Sequence, residues 1–304
     1  MLNIPQLLAT ELSLKPFQVD NALELFAEGA TIPFIARYRK ERTGEMDETQ
    51  LRDLLERHTY LTELEDRKQA ILEAIAQQGK LTDELKAQIE ACLQKTELED
   101  LYLPYRPKRR TRAMIAREKG LEPLAELIKS LNLPTANVRS LEEEATPYIS
   151  EEKGVKTAED ALAGASDILA EEVAEQAPLR AYLRDFLMTS GIWSSRIKDD
   201  YPEGTTKFEM YRSYQAKVSA IAPHNLLALY RGETEGILSV DLMFDEAQVM
   251  SYLETQIIRT KNPIIRSFYQ AMLKDAFNRL MKNSLMSEVR NAKKQEADIE
   301  SIKT

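Results

Sequence analysis

Apolar residues recur at spacings of three and four along most of this chain, while period-two alternation appears once, so the sequence predicts an all-α, mainly helical fold with more than half of its residues helical. The clearest stripe is Leu51, Leu54, Leu55, His58, Leu61 and Leu64, continued by Ile71 and Ile75 to Gly79. Asp47 followed three residues later by Gln50 reads as its capping box. Thr82 restarts the pattern for Leu85, Ile89 and Leu93, which predicts two antiparallel helices joined by a short glycine-containing turn. Ser140 with Glu143, and Thr157 with Asp160, mark two further helix starts. The second of these helices carries Ala161, Ala163, Gly164 and Ala165, small residues that let neighbours approach closely and predict a central place in its bundle.

Three stretches read differently. Pro104 and Pro107 predict an extended segment over residues 102–107, with helix resuming near Thr111. Residues 191–236 gather Trp193, Tyr201, Phe208, Tyr211 and Tyr214 among turn formers, and GILSVDL after them reads as a lone strand without an evident partner. Beyond Asp245, Val249, Met250, Leu253 and Ile257 precede a break at Pro263, after which one long helix is expected to reach about Asp298, roughly 50 Å. It meets no capping signal, as though the chain were cut within it. Lys293, Lys294, Gln295 and Glu296 in succession predict fraying from Asn291. These shifts suggest a helical region over residues 1–190 and an irregular aromatic segment followed by the long helix over residues 191–304.

Chemistry narrows the function classes. Among 304 residues there is one cysteine, Cys92, and two histidines, His58 and His224, which leaves no disulfide framework and little for a metal centre. No GxxxxGK[ST], GxGxxG after a strand, GxSxG or HExxH occurs. No enzyme activity, cofactor or metal is expected, and Cys92 reads as a small near-core residue. No apolar run approaches the roughly 18 residues of a membrane span, and the amino-terminal stretch lacks a basic start, so the sequence reads as cytoplasmic and without a membrane partner.

The net charge is −9, yet the base is bunched. Residues 31–42 hold Arg37, Arg39, Lys40 and Arg42 against Glu41 alone, and residues 104–119 hold seven cations against Glu118 alone. Interleaved Tyr38 and Tyr105 offer stacking faces beside guanidinium groups that match phosphate, a mix suited to single-stranded or irregular nucleic acid. The candidate contacts are therefore Arg37, Arg39, Lys40, Arg42, Tyr105, Arg106, Lys108, Arg109, Arg110 and Arg112. The competing reading makes them structural, with Arg37, Arg39 and Arg42 paired to Glu41, Glu45 and Asp47, and Arg109 to Arg112 tied to Glu97, Glu99 and Asp100. In that case the chain is a protein-interaction platform.

GATIPFIARYRKERTGEMDETQLRDL at residues 29–54 and ELEDLYLPYRPKRRTRAMIAREKGLEPLA at residues 97–125 closely resemble the amino-terminal signatures of the Tex family of bacterial transcription accessory proteins. LAGASDILAEE at residues 162–172 and HNLLALYRGETEG at residues 224–236 extend the resemblance along the chain. It departs where Asn225 follows His224 in place of the usual Arg, and at Arg106, often Lys. The resemblance implies a nucleic-acid-binding protein related to a eukaryotic elongation factor, more than twice this length. Its helical amino-terminal region would hold a helix-turn-helix-like unit and a long central helix ahead of ribonuclease-H-like, helix-hairpin-helix and OB-type RNA-binding domains. It implies a transcription role in which this portion positions or scaffolds RNA or single-stranded nucleic acid, weakly on its own, with RNA polymerase as the partner under the platform reading.

Overall fold

Helix of all kinds accounts for 66% of the chain, as the spacing predicts, and the computed structural model describes residues 2–303. Contacts divide it into two units, Met1–Arg106 and Pro107–Thr304.

The first unit is built from α1 (Ile4–Glu11), α2 (Pro16–Ala27), α3 (Ile32–Tyr38), α4 (Glu48–Gln77), α5 (Asp83–Ala91) and α6 (Lys95–Tyr102). The long α4 starts as its capping box requires. The Gln50 N–H donates to Asp47 Oδ1 at 2.7 Å, and the Asp47 N–H donates to Gln50 Oε1 at 3.1 Å. Its stripe of Leu51, Leu54, Leu61, Leu64, Ile71 and Ile75 is wholly buried against Leu8, Leu25, Ile35, Ile89 and Leu98 of the shorter helices. Thr82 caps α5. Cys92, 7% exposed, is the near-core residue expected, and burial pushes its thiol up, further from a reactive thiolate.

Residues 102–107 are not extended throughout. Leu103–Tyr105 form a 3₁₀ turn that continues α6, because Pro104 lies in its first turn, where no N–H is needed. Arg106, directly before Pro107, is driven to extended geometry, with ψ at 134°.

The second unit contains α7 (Arg112–Glu118), α8 (Glu122–Ser130), α9 (Leu141–Ala145), α10 (Ala158–Ala174), α11 (Ala177–Ser190), β1 (Ile192–Ile197), β2 (Ser213–Lys217), α12 (Pro223–Thr234), β3 (Leu238–Met243), α13 (Glu246–Ile257), α14 (Pro263–Asp275), a π-helical segment (Ala276–Met281) and α15 (Lys282–Lys303). α10 is central and packs on α7, α8, α9, α11, α14 and the π-helical segment. Its small residues explain why: a Cβ added at Gly164 would stand 2.3 Å from Leu121 Cδ1 and 3.4 Å from the Ala116 Cβ.

The predicted lone strand has partners. β3 and β2 both pair antiparallel with β1 in the order β2-β1-β3, with Trp193 opposite Leu242 on one side and Ala216 on the other. Trp193, Ser195 and Ile197 of β1 are buried alternately, with Leu238, Val240 and Leu242 of β3. The division suggested at residue 190 falls inside this core, because Leu187 of α11, Trp193 of β1 and Ile168 of α10 belong to one buried cluster.

The stretch expected to fray from Asn291 is helical as far as Lys303, with Ala297 only 3% exposed. Side-chain anchors hold the helix. Arg180 reaches Glu288 at 2.7 Å, Arg184 reaches the other oxygen of the same carboxylate at 2.7 Å, the Tyr230 hydroxyl donates to the Arg290 carbonyl at 2.8 Å, and Arg290 pairs with Glu233.

Candidate nucleic-acid interface

In the first unit the candidates are presented by α3 and the loop after it. α3 turns Ile35 and Ala36 into the core, so Phe34 and Tyr38, four residues apart, face outward with exposures of 40% and 67%. Their ring centroids lie 5.5 Å apart, and the Arg39 guanidinium sits 5.1 Å from the Phe34 ring centre. Arg37, Arg39 and Lys40 are exposed, and among the described residues none makes an ion pair. The loop carrying Arg39 and Lys40 is fixed from α2. Asn21 Nδ2 donates to the Arg42 carbonyl at 2.7 Å, and Gln18 Nε2 donates to the carbonyls of Thr43 and Gly44 at 3.2 and 3.0 Å. Buried Thr43 returns its hydroxyl to the carbonyls of Arg39 and Lys40. These cations therefore stand on a braced loop, which lowers the ordering penalty when an anion arrives.

Arg42 differs from its neighbours. It pairs with Glu24 at 2.7 Å and with Glu28 at 3.8 Å, both from α2 or its end, rather than with Glu41, Glu45 or Asp47.

Arg106 also belongs to the first unit and is occupied. Glu99 accepts from Arg67 on both oxygens, at 2.6 and 3.1 Å, and from Arg106 on the second of them at 2.5 Å, with both guanidinium groups near the Tyr102 ring. Burial pushes the Glu99 carboxyl up, and the two arginines more than reverse this, holding it below the usual carboxylate range. Tyr105 is half-buried, and its carbonyl accepts from Gln78 Nε2 at 2.7 Å.

The remaining candidates lie in the second unit and divide again. Lys108 is half-buried between Glu171 of α10, at 3.6 Å, and Glu175 at the end of that helix. Arg110 pairs with Glu118 at 2.5 Å, both largely exposed, a pair of small energetic weight. Arg109 and Arg112 are exposed and make no ion pair among the described residues. Glu99 is taken within the first unit by Arg67 and Arg106.

The structure thus gathers Arg39, Phe34 and Tyr38 at one place and leaves Arg37 and Lys40 exposed on the same short segment of α3 and its loop. Tyr38 is the stacking face read from the sequence, whereas exposed Phe34 was grouped there with the apolar Ile32 and Ile35. The signal was present, since Ile32, Ile35 and Ala36 claim the inner face of a seven-residue helix and leave those two rings outside.

Comparison with known proteins places the chain. Residues 2–76 match the Tex-like protein N-terminal domain, and residues 137–304 match the Tex central region-like domain. The chain is 48% identical over 257 residues to Protein YhgF of Escherichia coli, covering 83% of this chain and 32% of that protein. It is 45% identical over 243 residues to the Transcriptional accessory protein Tex of Neisseria gonorrhoeae, covering 80% and 31%. At greater distance it is 27% identical over 315 residues to the S1 RNA-binding domain-containing protein 1 of Pongo abelii, covering 99% and 31%. The chain spans about a third of the length of these relatives. With its larger segment matched over more than half of its residues, the chain belongs to the Tex family.

Proposed function

We propose that this chain is a nucleic-acid-binding portion of a transcription accessory protein, and that it engages single-stranded RNA through the face formed by α3 and its braced loop. It acts by binding and positioning rather than by catalysis. The observation that carries this reading is the set Arg37, Arg39 and Lys40, three exposed cations without acidic partners, beside the exposed rings of Phe34 and Tyr38. Cations of this kind meet phosphates, and the rings supply stacking faces that tolerate any base. On this reading α2, the four-residue turn at 28–31 with Gly29 at φ 85°, and α3 serve as the helix-turn-helix-like unit, with α3 in the recognition role. The names of the relatives support the same direction, one a transcriptional accessory protein and another an S1 RNA-binding domain-containing protein.

Three phosphate contacts on a single strand contribute a slope of about −2 in log K against log salt. Replacing Arg37, Arg39 and Lys40 together with Ala flattens the measured slope for single-stranded RNA by about two units and leaves the melting temperature unchanged. An unchanged slope refutes the assignment.

The alternative, a protein-interaction platform that docks on RNA polymerase, draws support from Arg42, Arg106, Lys108 and Arg110, which are all ion-paired within their own units. In that case the triple variant loses polymerase capture and not RNA affinity.

A further inference from the structure

The second unit holds a cleft of about 430 Å³ between α7, the start of α10 and the turn closed by the Ser150–Val155 bridge. Its floor is apolar, with Ile115, Leu121, Val155 and Ala163 among the lining residues, and Arg112, Lys119 and Lys156 also line it. Lys153 stands at its edge. The side chains of Lys119 and Lys153 cross between two glycines. Lys119 Cε lies 3.9 Å from the place of a Cβ on Gly154, and Lys153 Nζ lies 3.1 Å from the place of a Cβ on Gly120.

None of these four cations makes an ion pair among the described residues. Two acids share the cleft, and Asp167 also feels Arg112. Asp160 Oδ2 accepts the N–H groups of Lys156 and Thr157 at 3.1 and 3.2 Å, and Asp167 pairs with Arg279 at 3.3 Å. In a chain of net charge −9, four cations against two carboxylates leave an excess of positive charge around one concavity, which an anion seated among them offsets.

We propose that this cleft binds a nucleoside triphosphate, with the polyphosphate on Arg112, Lys119, Lys153 and Lys156 and the nucleoside over the apolar floor. A nucleoside triphosphate carries about four negative charges near neutral pH, which matches the four cations, and the volume lies in the range of small-molecule sites, roughly 300–1,000 Å³. The concave shape favours a small molecule over a continuous strand.

The test is titration of the 304-residue chain with a fluorescent ATP analogue, with ATP, GTP, tripolyphosphate and orthophosphate as competitors at constant ionic strength. The expected result is saturable binding that tripolyphosphate displaces and orthophosphate at the same concentration does not. The double variant Lys119→Gln with Lys153→Gln keeps the side-chain stems that pack on the glycines and weakens binding at least tenfold, the effect of losing two charge-assisted contacts. Lys156→Gln alone weakens it several-fold, and Lys80→Gln in the first unit leaves it unchanged. The proposal is overturned by absence of binding up to millimolar analogue, by equal displacement with any anion, or by variants of unchanged affinity. Loss of RNA affinity in the double variant, with no nucleotide binding in the parent, also overturns it and makes the cleft part of a strand-binding surface.

Discussion

Lys108 and Arg109 are adjacent cations of one basic run, and their surroundings predict opposite consequences of removal. Lys108 is 19% exposed, and the two carboxylates around it, Glu171 and Glu175, are 12% and 16% exposed. In Lys108→Ala, Glu171 keeps Arg117 at 3.2 Å, but Glu175 is left poorly solvated without the lysine. Breaking a fully buried pair costs about 3–5 kcal/mol, and one retained partner with some residual hydration brings this to about 2 kcal/mol. For a unit of this size each kcal/mol shifts the melting temperature by about 2–4 °C, so the second unit's transition falls by about 4–8 °C. Arg109 is exposed and unpaired, so Arg109→Ala moves the transition by less than about 2 °C. Scanning calorimetry of both variants, with RNA titration alongside, reads the two effects separately. A Lys108→Ala protein that melts normally and binds RNA less tightly refutes the reasoning, as does an Arg109→Ala protein that melts several degrees early.

Two further outcomes are expected in the first unit. Lys68 is 1% exposed on α4 and donates to Glu65 Oε1 and the Glu90 carbonyl, both at 2.8 Å, so Lys68→Met lowers stability by about 2–3 kcal/mol in urea titration, and adding Glu65→Gln recovers part of the loss. Burial holds the His58 imidazole below its ordinary 6.5, so it favours the neutral form in the folded state; its contribution is full above about pH 6.5 and is lost as pH falls through the folded value. The urea midpoint of His58→Gln accordingly drops less between pH 7.5 and 5 than that of the parent, and an identical drop rejects the argument.

What was legible in the sequence is what local chemistry decides. The caps at Asp47, Thr82, Ser140 and Thr157 each need only a residue three positions on, and all four hold in the structure. The stripe on α4 and the close approach at Gly164 follow from side-chain size and period alone. The sheet was hidden because its pairings are non-local and β1 reads IWSSRI, with a serine at an inward position. Ser195 is tolerated there because its hydroxyl donates to the Tyr211 carbonyl at 2.8 Å. The candidate interface was legible as a count of charges but not as a set of partners. Arg42 finds its acids 18 and 14 residues back, and Lys108 finds its own more than 60 residues ahead. Similarly, nothing local brings Lys119 beside the Lys153 turn.

The π-helical segment between α14 and α15 has a geometric consequence for everything that follows it. Leu273, Phe277, Met281, Leu285 and Val289 are buried at intervals of four, and in a regular α-helix such a row drifts around the axis by about 40° per step. The wider turn at Ala276–Met281 absorbs the surplus residue and keeps the row facing inward, with Arg279 clasping Asp275 at 2.7 Å beside it. The segment is thus a phase correction written into the backbone. Deleting one residue there closes the wide turn into ordinary α-helix and leaves α15 in phase, with Leu285, Val289 and Ala297 still in the core, whereas drawing the undeleted segment into regular α-helix rotates α15 by about 100° and carries Glu288 away from Arg180.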